Sequence, residues 1–489
     1  MSRINTNVPA LTAIRQLNAN NRLLSKSLER LSSGLRINRG ADDPAGLIAS
    51  ESLRSEIRGL DAAIANSERA INVVSTTDAA LGEISKLLLD IKGLVVQTAN
   101  DGALSDAEIE ANQLQVDSLL NSINRIANTT QFNGKKLLNG NLSYTVDAQD
   151  TTKLSRLQVF GANVPTGSTL PVTVQVTQSA QTALLTITSA QAGLSGTVLS
   201  NAITIEVQGS LGTETFSFAA GTATSAIASA IIASKNSIGV SASLSNTGST
   251  LKFNSTKFGS EEFVSVRTIS GSFDVQTPAG STGSVDFELD KGRNAAVIVN
   301  GQAASVRSGF TASIRNSGLD LVLDLSQSFG TSAPGASTTF SVTGGGANFQ
   351  IGPNVDPDGR ISIGITSTAT TNLGSATAGF LNALGSTGSS NLLDSTNLPV
   401  AEDIISAAIS QVSTLSGRLG GFQANQVETN LNSLRVALEN VTASESSIRD
   451  TDFSAEVARL TRAQILQQST TQILGLANQI PQSVLSLLR

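Results

Sequence analysis

The chain has 489 residues, enough for several domains and a sizeable core. It contains no Cys and no His, which excludes disulfides, thiolate and imidazole metal sites, cysteine nucleophiles and the Ser-His-Asp triad. A formal net charge of −6 is the wrong sign for a protein that holds nucleic acid by its phosphates. No window of about 18 uninterrupted apolar residues occurs, so no membrane insertion is expected, and residues 1–8 lack the apolar run of a secretory signal.

From the amino end, Ile14, Leu17, Asn21, Leu24, Leu28, Leu31 and Leu35 alternate three and four residues apart. This is the a/d seam of a coiled coil with one polar position at Asn21, although an ordinary amphipathic core helix shares the pattern. Asp43 before Pro44 reads as an N-cap with Pro at the first helical position, which makes 36–43 a connector. A second helix is expected from Pro44 to about Ala99, with Leu53, Ile57, Leu60, Ile64, Ile71, Val74 and Leu81 on one stripe. After Leu81 that stripe shifts by one residue to Ile84, Leu88, Ile91 and Val95, a change expected to alter coiled-coil winding. Asn100-Asp101-Gly102 stops the helix. Ser105 and Glu108 have capping-box spacing and open a third, with Ile109, Val116, Leu120 and Ile123 inward. Asn133-Gly134 and Asn139-Gly140 signal tight turns consistent with a small hairpin.

Residues 150–345 have another texture, rich in Ser, Thr, Gly and Val and without charge from Leu157 to Ile205. Alternating runs at Ile203–Val207 and Val285–Leu289 predict strands, Ala219–Ser234 a short helix, and Gly209-Ser210 and Asn246-Thr247-Gly248 turns. The β-branched and Phe content favours folded β domains over disorder. Helices resume with Ile405, Ala408, Val412, Leu415, Leu419 and Phe422. After a slip the stripe continues through Val427, Leu431, Leu434, Leu438, Val441 and Ile448. A last helix starting near Ser454 carries Val457, Leu460, Ile465, Ile473, Leu476 and Ile480. The fold class is thus multidomain α + β, with two helical ends packed together around a β-rich middle. Catalysis has little support. Glu261-Glu262 reads as a solvated surface pair, Asp356-Pro357-Asp358-Gly359 as a turn, and no P-loop or dinucleotide fingerprint stands in suitable context. No metal and no cofactor are expected.

Longer motifs are diagnostic. Ser27-Leu28-Glu29-Arg30-Leu31-Ser32-Ser33-Gly34-Leu35-Arg36-Ile37-Asn38 and Ala41-Asp42-Asp43-Pro44-Ala45-Gly46-Leu47 resemble the amino-terminal signature of bacterial flagellins. Ser447-Ile448-Arg449-Asp450-Thr451-Asp452-Phe453-Ser454, Arg462-Ala463-Gln464-Ile465-Leu466-Gln467-Gln468 and the segment from Ala477 to Leu488 are similar to the carboxyl-terminal one. Phe349-Gln350-Ile351-Gly352 with Asn354 resembles a segment before the returning helices. The resemblance implies a subunit of the filament used for swimming. It implies an inner coiled-coil domain (D0) from 1–43 plus 455–489 and a helical rod (D1) from 44–149 plus 346–454. Residues 150–345 would then be variable outer β domains (D2/D3), with an insertion-type β-α-β module near 201–268. The rivals are a hook–filament junction protein, or an adhesive or enzymatic surface protein acting through the middle.

The same resemblance implies several partners. The chain itself is one, as a helical homopolymer that can include other flagellins. An export chaperone would hold the carboxyl-terminal helix, and hook-junction and cap proteins would meet the filament. Export would be by the type III apparatus without a cleaved signal, to an extracellular filament. The polymerisation core would comprise Ile14, Leu17, Leu24, Leu28, Leu31 and Leu35 with Val457, Leu460, Ile465, Ile473, Leu476, Ile480, Leu485 and Leu488. Isolated amphipathic ends are marginal in water, so residues 1–40 and 455–489 are expected to become helical on polymerisation. A host innate receptor recognises the rod face of some members, here Leu88, Asp90, Lys92, Leu94 and Gln97. Asp90 stands where strongly stimulating members carry Arg, Gly93 replaces an acid, and Gln115 and Leu119 replace an acidic and a basic residue. Weak or absent receptor binding is therefore expected.

Overall fold

The structure, a computed structural model, describes all residues except 1–5, 101, 163, 165–167, 189–193, 246–249, 277–286, 308, 317, 376–377 and 488–489. Residues 287 and 480–487 are described by their backbone alone. The expected turn at Asn246-Thr247-Gly248, together with Asp101, Val285, Asp286 and Leu488, lies outside the described residues.

Short polar residues open the long helices. Asn7 accepts the Ala10 N–H at 3.1 Å and starts α1, Val8–Ser33. Asp43 accepts from Gly46 at 2.9 Å and starts α2, Pro44–Thr98. Before α3, Asp106–Thr129, the Glu108 carboxylate reaches back to the Ser105 N–H at 2.7 Å, and these Ser105 bonds hold it below its ordinary pKa. Three short helices follow: α4 Thr224–Ala233, α5 Lys235–Ile238 and α6 Gln327–Gly330. The returning helices are α7 Leu398–Phe422, α8 Thr429–Arg449 and α9 Phe453–Leu487, the last capped by Asp452 through Ser454 and Ala455.

The chain divides into two compact units. Residues 1–71, 349–360 and 424–489 form the first. There α8 runs antiparallel to the start of α2, with Leu60, Ala63 and Leu434 buried and Ile64, Leu438 and Val441 packed against them. Arg449 pairs with Glu51 at 2.9 Å and Arg435 with Glu68 at 3.1 Å. Leu53, Ile57 and Ile71 are half-buried, as is Leu438, while Leu431 is buried.

The second unit holds residues 72–348 and 361–423. Its helical part combines the rest of α2, with Val74 and Leu81 buried, with α3 and α7. Asn112 donates to Thr98 Oγ1 at 3.2 Å, and Lys92 pairs with Glu402 at 3.5 Å. Gln131–Phe132 and Lys135–Lys136 form the expected hairpin about Asn133-Gly134, both at positive φ as a tight two-residue turn requires. Two β cores follow. In one, strands ordered 302–303, 296–299, 170–178, 337–345 and 144–147 face strands ordered 305–306, 311–315, 319–325 and 154–162. Alternating residues such as Val172, Val174 and Val176, Leu321 and Leu323, and Phe340 fill the space between. Arg418 of α7 lies over the Phe160 ring at 3.6 Å and pairs with Asp320 at 3.2 Å, joining helix to sheet.

The other core places α4 beside a sheet ordered 213–218, 203–209, 263–270 and 287–291 and a second ordered 240–244, 250–255 and 184–188. It buries Leu185, Ile187, Phe273 and Val275 as well as residues within the expected module 201–268. Strands 170–178 and 296–299 pair directly, and Gln181 and Arg293 exchange two backbone bonds of 2.9 Å. The intervening segment is therefore inserted into a hairpin.

One expectation about α2 is corrected. The stripe does not slip after Leu81. Buried positions run Leu60, Ala63, Ser67, Ala70, Val74, Thr77, Leu81, Ile84, Leu88, Ile91, Val95 and Thr98, alternating three and four apart throughout. Large apolar residues alone suggest a shift because Ala, Ser and Thr occupy several seam positions. Their hydroxyls are satisfied locally: Ser67, Thr77 and Thr98 each donate at 2.8 Å to the carbonyl four residues earlier. The slip expected after Phe422 is present as a π-helical turn, Gln423–Glu428. Its extra residue leaves both Phe422 and Val427 buried.

Leu81→Ala is expected to lower unfolding free energy by roughly 2–5 kcal/mol. Thr77→Val keeps the shape and strands no donor, so it should change stability by less than about 1 kcal/mol. Urea unfolding of the two variants checks the contrast.

Candidate assembly surface

Axial alignment of α1 and α9 is set at the connector. Gly34, at φ 74, ends α1 with its N–H on the Arg30 carbonyl at 2.8 Å, a conformation that disfavours a side chain. Leu35 then forms an antiparallel bridge with Asp450. Arg36 N–H reaches the Arg449 carbonyl at 2.7 Å and Thr451 N–H the Gly34 carbonyl at 2.9 Å. Next along the loop, the Asp42 carboxylate accepts from Lys26 of α1 at 2.8 Å and from the Asn38 and Arg39 N–H groups. The Lys26 ammonium, with those two amides, holds Asp42 below its ordinary value of 3.8.

From this tie the helices run antiparallel. Arg30 faces Glu456 at 3.7 Å, Asn20 donates to Thr470 Oγ1 at 2.9 Å and to the Leu466 carbonyl at 3.3 Å, and Asn7 donates to the Ala477 carbonyl at 2.8 Å. The side chains buried between them are Ala10, Ala13, Asn20 and Ser27 of α1 and Glu456, Ala463, Thr470 and Ala477 of α9. Half-buried Leu17, Leu24 and Leu31, and Leu460, Gln467 and Leu474, complete two heptad stripes. Glu456 sits between Arg30 and Arg459, the latter at 3.1 Å, so its buried charge is paired twice.

This seam differs from the one the leucine spacing suggests. Leu17, Leu24, Leu31 and Leu460 belong to it, and Leu35 is half-buried at the connector. Ile14 and Leu28 do not, nor do Val457, Ile465, Ile473 and Leu476, which are exposed. Ile473 and Leu476 keep 57% and 68% of their surface in solvent. The polar position in the seam is Asn20, not Asn21. Small side chains face inward, where they allow close helix approach, and the large ones turn away. Val8, Leu11, Leu23, Phe453 and Leu466 are exposed with them, and the leucine spacing passes them over. The same heptad spacing read through Ala, Asn, Ser and Thr would have found the inward face. The backbone of Ile480 and Leu485 continues α9, but their side chains, like Leu488, lie outside the described residues. Val8–Ser33 and Phe453–Leu487 are helical here, although the sequence suggests that these segments become so on polymerisation.

In the second unit, the expected receptor face is corrected at one residue. Leu88 is fully buried in the helical core and cannot face a partner. Leu89, exposed, takes its place in a shallow hollow with Asp90, Gly93, Leu94, Gln97, Gln115 and Leu119. Lys92 is engaged with Glu402 of α7. A heptad count through Thr77 and Thr98 distinguishes Leu88 from Leu89.

A family model described as the bacterial flagellin N-terminal helical region matches residues 4–143, and one described as the C-terminal helical region matches 403–488. A flagellin from Salmonella rubislaw is 30% identical over 530 residues, covering 99% of this chain and 99% of the relative. Flagellin B from Helicobacter pylori is 30% identical over 527 residues, covering 100% and 99%. A solved flagellar hook associated protein-3 from Legionella pneumophila covers 81% of this chain and 98% of its own at 14% identity. Its TM-score of 0.31 is too loose to compare the arrangement of parts.

Because Asp42 has a depressed folded pKa, its contribution to the connector is complete above its ordinary value of 3.8 and is lost as pH falls through the lower folded value. Amide exchange at Asn38 and Arg39, corrected for intrinsic rate, should accelerate over that acid range. Unchanged protection across it would contradict the assignment.

Proposed function

The chain belongs to the flagellin family and is a structural subunit of the bacterial flagellar filament, and we propose that successive copies join through the outward apolar stripes of α1 and α9. The observation that carries this reading is the exposure of Ile14, Leu28, Val457, Ile465, Ile473 and Leu476 on helices whose mutual contact does not need them. Full burial of such a side chain is worth roughly 1.5–3 kcal/mol, and these are already about half covered. Together they offer on the order of 10 kcal/mol, similar to the roughly 4–15 kcal/mol that association takes in lost freedom. One neighbour is then marginal and several are sufficient, which favours growth on an existing end over free pairing. Contacts of this head-to-tail kind propagate an open helix when they do not close.

In this reading residues 1–43 with 455–489 are the inner layer, 44–149 with 346–454 the rod, and 150–345 the outer β domains. The work is structural rather than catalytic. The filament is extracellular, and the subunit reaches it without a cleaved signal. Among the described residues, no helix is long and apolar enough to cross a membrane. An export chaperone covering α9, and cap and junction proteins meeting the same stripes, are the partners that such exposed apolar surface calls for.

The double variant Ile473→Ser with Leu476→Ser should leave the circular dichroism of the free chain unchanged and abolish elongation from filament seeds. Normal elongation would refute the proposal. The hollow at Leu89, Asp90, Gly93 and Gln97 lacks the Arg and the acid of strongly stimulating members. A receptor reporter-cell assay should accordingly show little response, and Asp90→Arg with Gly93→Glu should raise it. Full response to the unaltered chain would overturn that expectation.

A further inference from the structure

The first unit presents α1 with two candidate inward faces that share Leu17, Leu24 and Leu31. One adds Ala10, Ala13, Asn20 and Ser27, and it is the face buried against α9. The other adds Ile14, Asn21 and Leu28, and Ile14 and Leu28 are exposed. Apolar area alone favours the second, since Ile14 and Leu28 would bury far more surface than Ala13 and Ser27. A modest rotation of α1 about its axis exchanges them.

Most polar contacts leave this rotation open. The bridges at Leu35, Arg36 and Thr451 set axial register beside the connector, and the Arg30–Glu456 pair lies only one turn from it. Asn7 meets α9 at the far end through a backbone carbonyl. Asn20 lies midway, only 2% exposed, with its amide nitrogen bonded to the Thr470 hydroxyl and the Leu466 carbonyl of α9. Thr470 donates in turn to that same carbonyl at 2.6 Å. Rotating Asn20 out of the seam breaks both bonds and strands a buried donor and acceptors.

We infer that Asn20, through Thr470 and the Leu466 carbonyl, is a positioning residue that fixes the rotation of α1 on α9 and keeps the Ile14–Leu28 stripe outward. The inference rests on the proposal that this stripe joins subunits. A buried polar residue at one seam position commonly selects a single packing at some expense of stability. Here the packing excluded is the one in which the chain covers its own assembly surface.

The chain has no Cys, so single thiols report cleanly. Ala13→Cys and Ile14→Cys are made separately and labelled with a maleimide in freshly depolymerised full-length protein. With Asn20 present, Ile14→Cys should react roughly tenfold or more faster than Ala13→Cys, whose thiol is reached only by local opening. In an Asn20→Ala background the ratio should collapse or invert, as Ala13→Cys gains reactivity and Ile14→Cys loses it. The exchanged pair Asn20→Thr with Thr470→Asn keeps a cross-helix hydrogen bond and should restore the original ratio. An unchanged ratio in Asn20→Ala, or fast labelling at both positions, would overturn the inference, as would failure of the exchanged pair to restore the pattern. Seed elongation by the unaltered chain is measured alongside. Its failure would count against the assembly reading, whereas unaffected labelling ratios with normal elongation would count against Asn20 alone.

Discussion

Burial of hydroxyl- and methyl-sized side chains at heptad positions, interleaved with large ones in α2 and dominant between α1 and α9, is the constraint the helical parts share. Ser67, Thr77 and Thr98 of α2 and Thr470 of α9 donate within their own helices, to carbonyls four residues back. A hydroxyl that donates in this way needs no acceptor on the facing helix, while its oxygen can still accept, as Thr98 does from Asn112 and Thr470 from Asn20. Backbones can then approach closely, and the seam becomes narrow and smooth. In α1 and α9 several large side chains, Ile14, Leu28, Ile465, Ile473 and Leu476 among them, are left outside the intramolecular seam.

α1 and α9 carry this division furthest. Their common seam has Ala, Ser, Thr and Asn at most of its fully buried positions, with one carboxylate held between two guanidinium groups. Its apolar contacts come from Ala side chains and half-buried leucines, and the tie at Gly34 and Leu35 with a few placed hydrogen bonds fixes how the pair meets. Specificity and stability are thereby assigned to different residues. Polar side chains decide which faces meet, while the leucines and isoleucines facing outward are those proposed to join subunits.

The β-rich segments obey another rule. Strands 170–178 and 296–299 hold their pairing, and the chain between them leaves and returns at Gln181 and Arg293. An insertion anchored at two adjacent strand ends can change in length and content without shifting the register of the strands that carry it. Its own core, with Ile205, Val207, Ile227 and Phe253, is complete in itself.

Much was legible in the chain alone. Caps at Asp43 and Ser105, the Asn133-Gly134 turn, the strand at Ile203, the short Ala-rich helix and the slip after Phe422 all follow from local chemistry. Local rules act within a few residues, and the structure agrees with each. The flagellin motifs likewise identified the family before any contact was considered. What only tertiary packing decided was which stripe of each helix faces which neighbour. Leu88 and Leu89 are the same residue type one position apart, and one is in the core while the other meets solvent. Of Asn20 and Asn21, the first is buried and bonded across to α9 and the second is half-buried beside it. Heptad spacing defines a set of parallel stripes, and a count of large apolar residues selects the greasiest of them. In α1 and α9 the greasiest stripe faces outward, because hydrogen bonds across the helix pair, invisible in a linear sequence, hold the smaller one in.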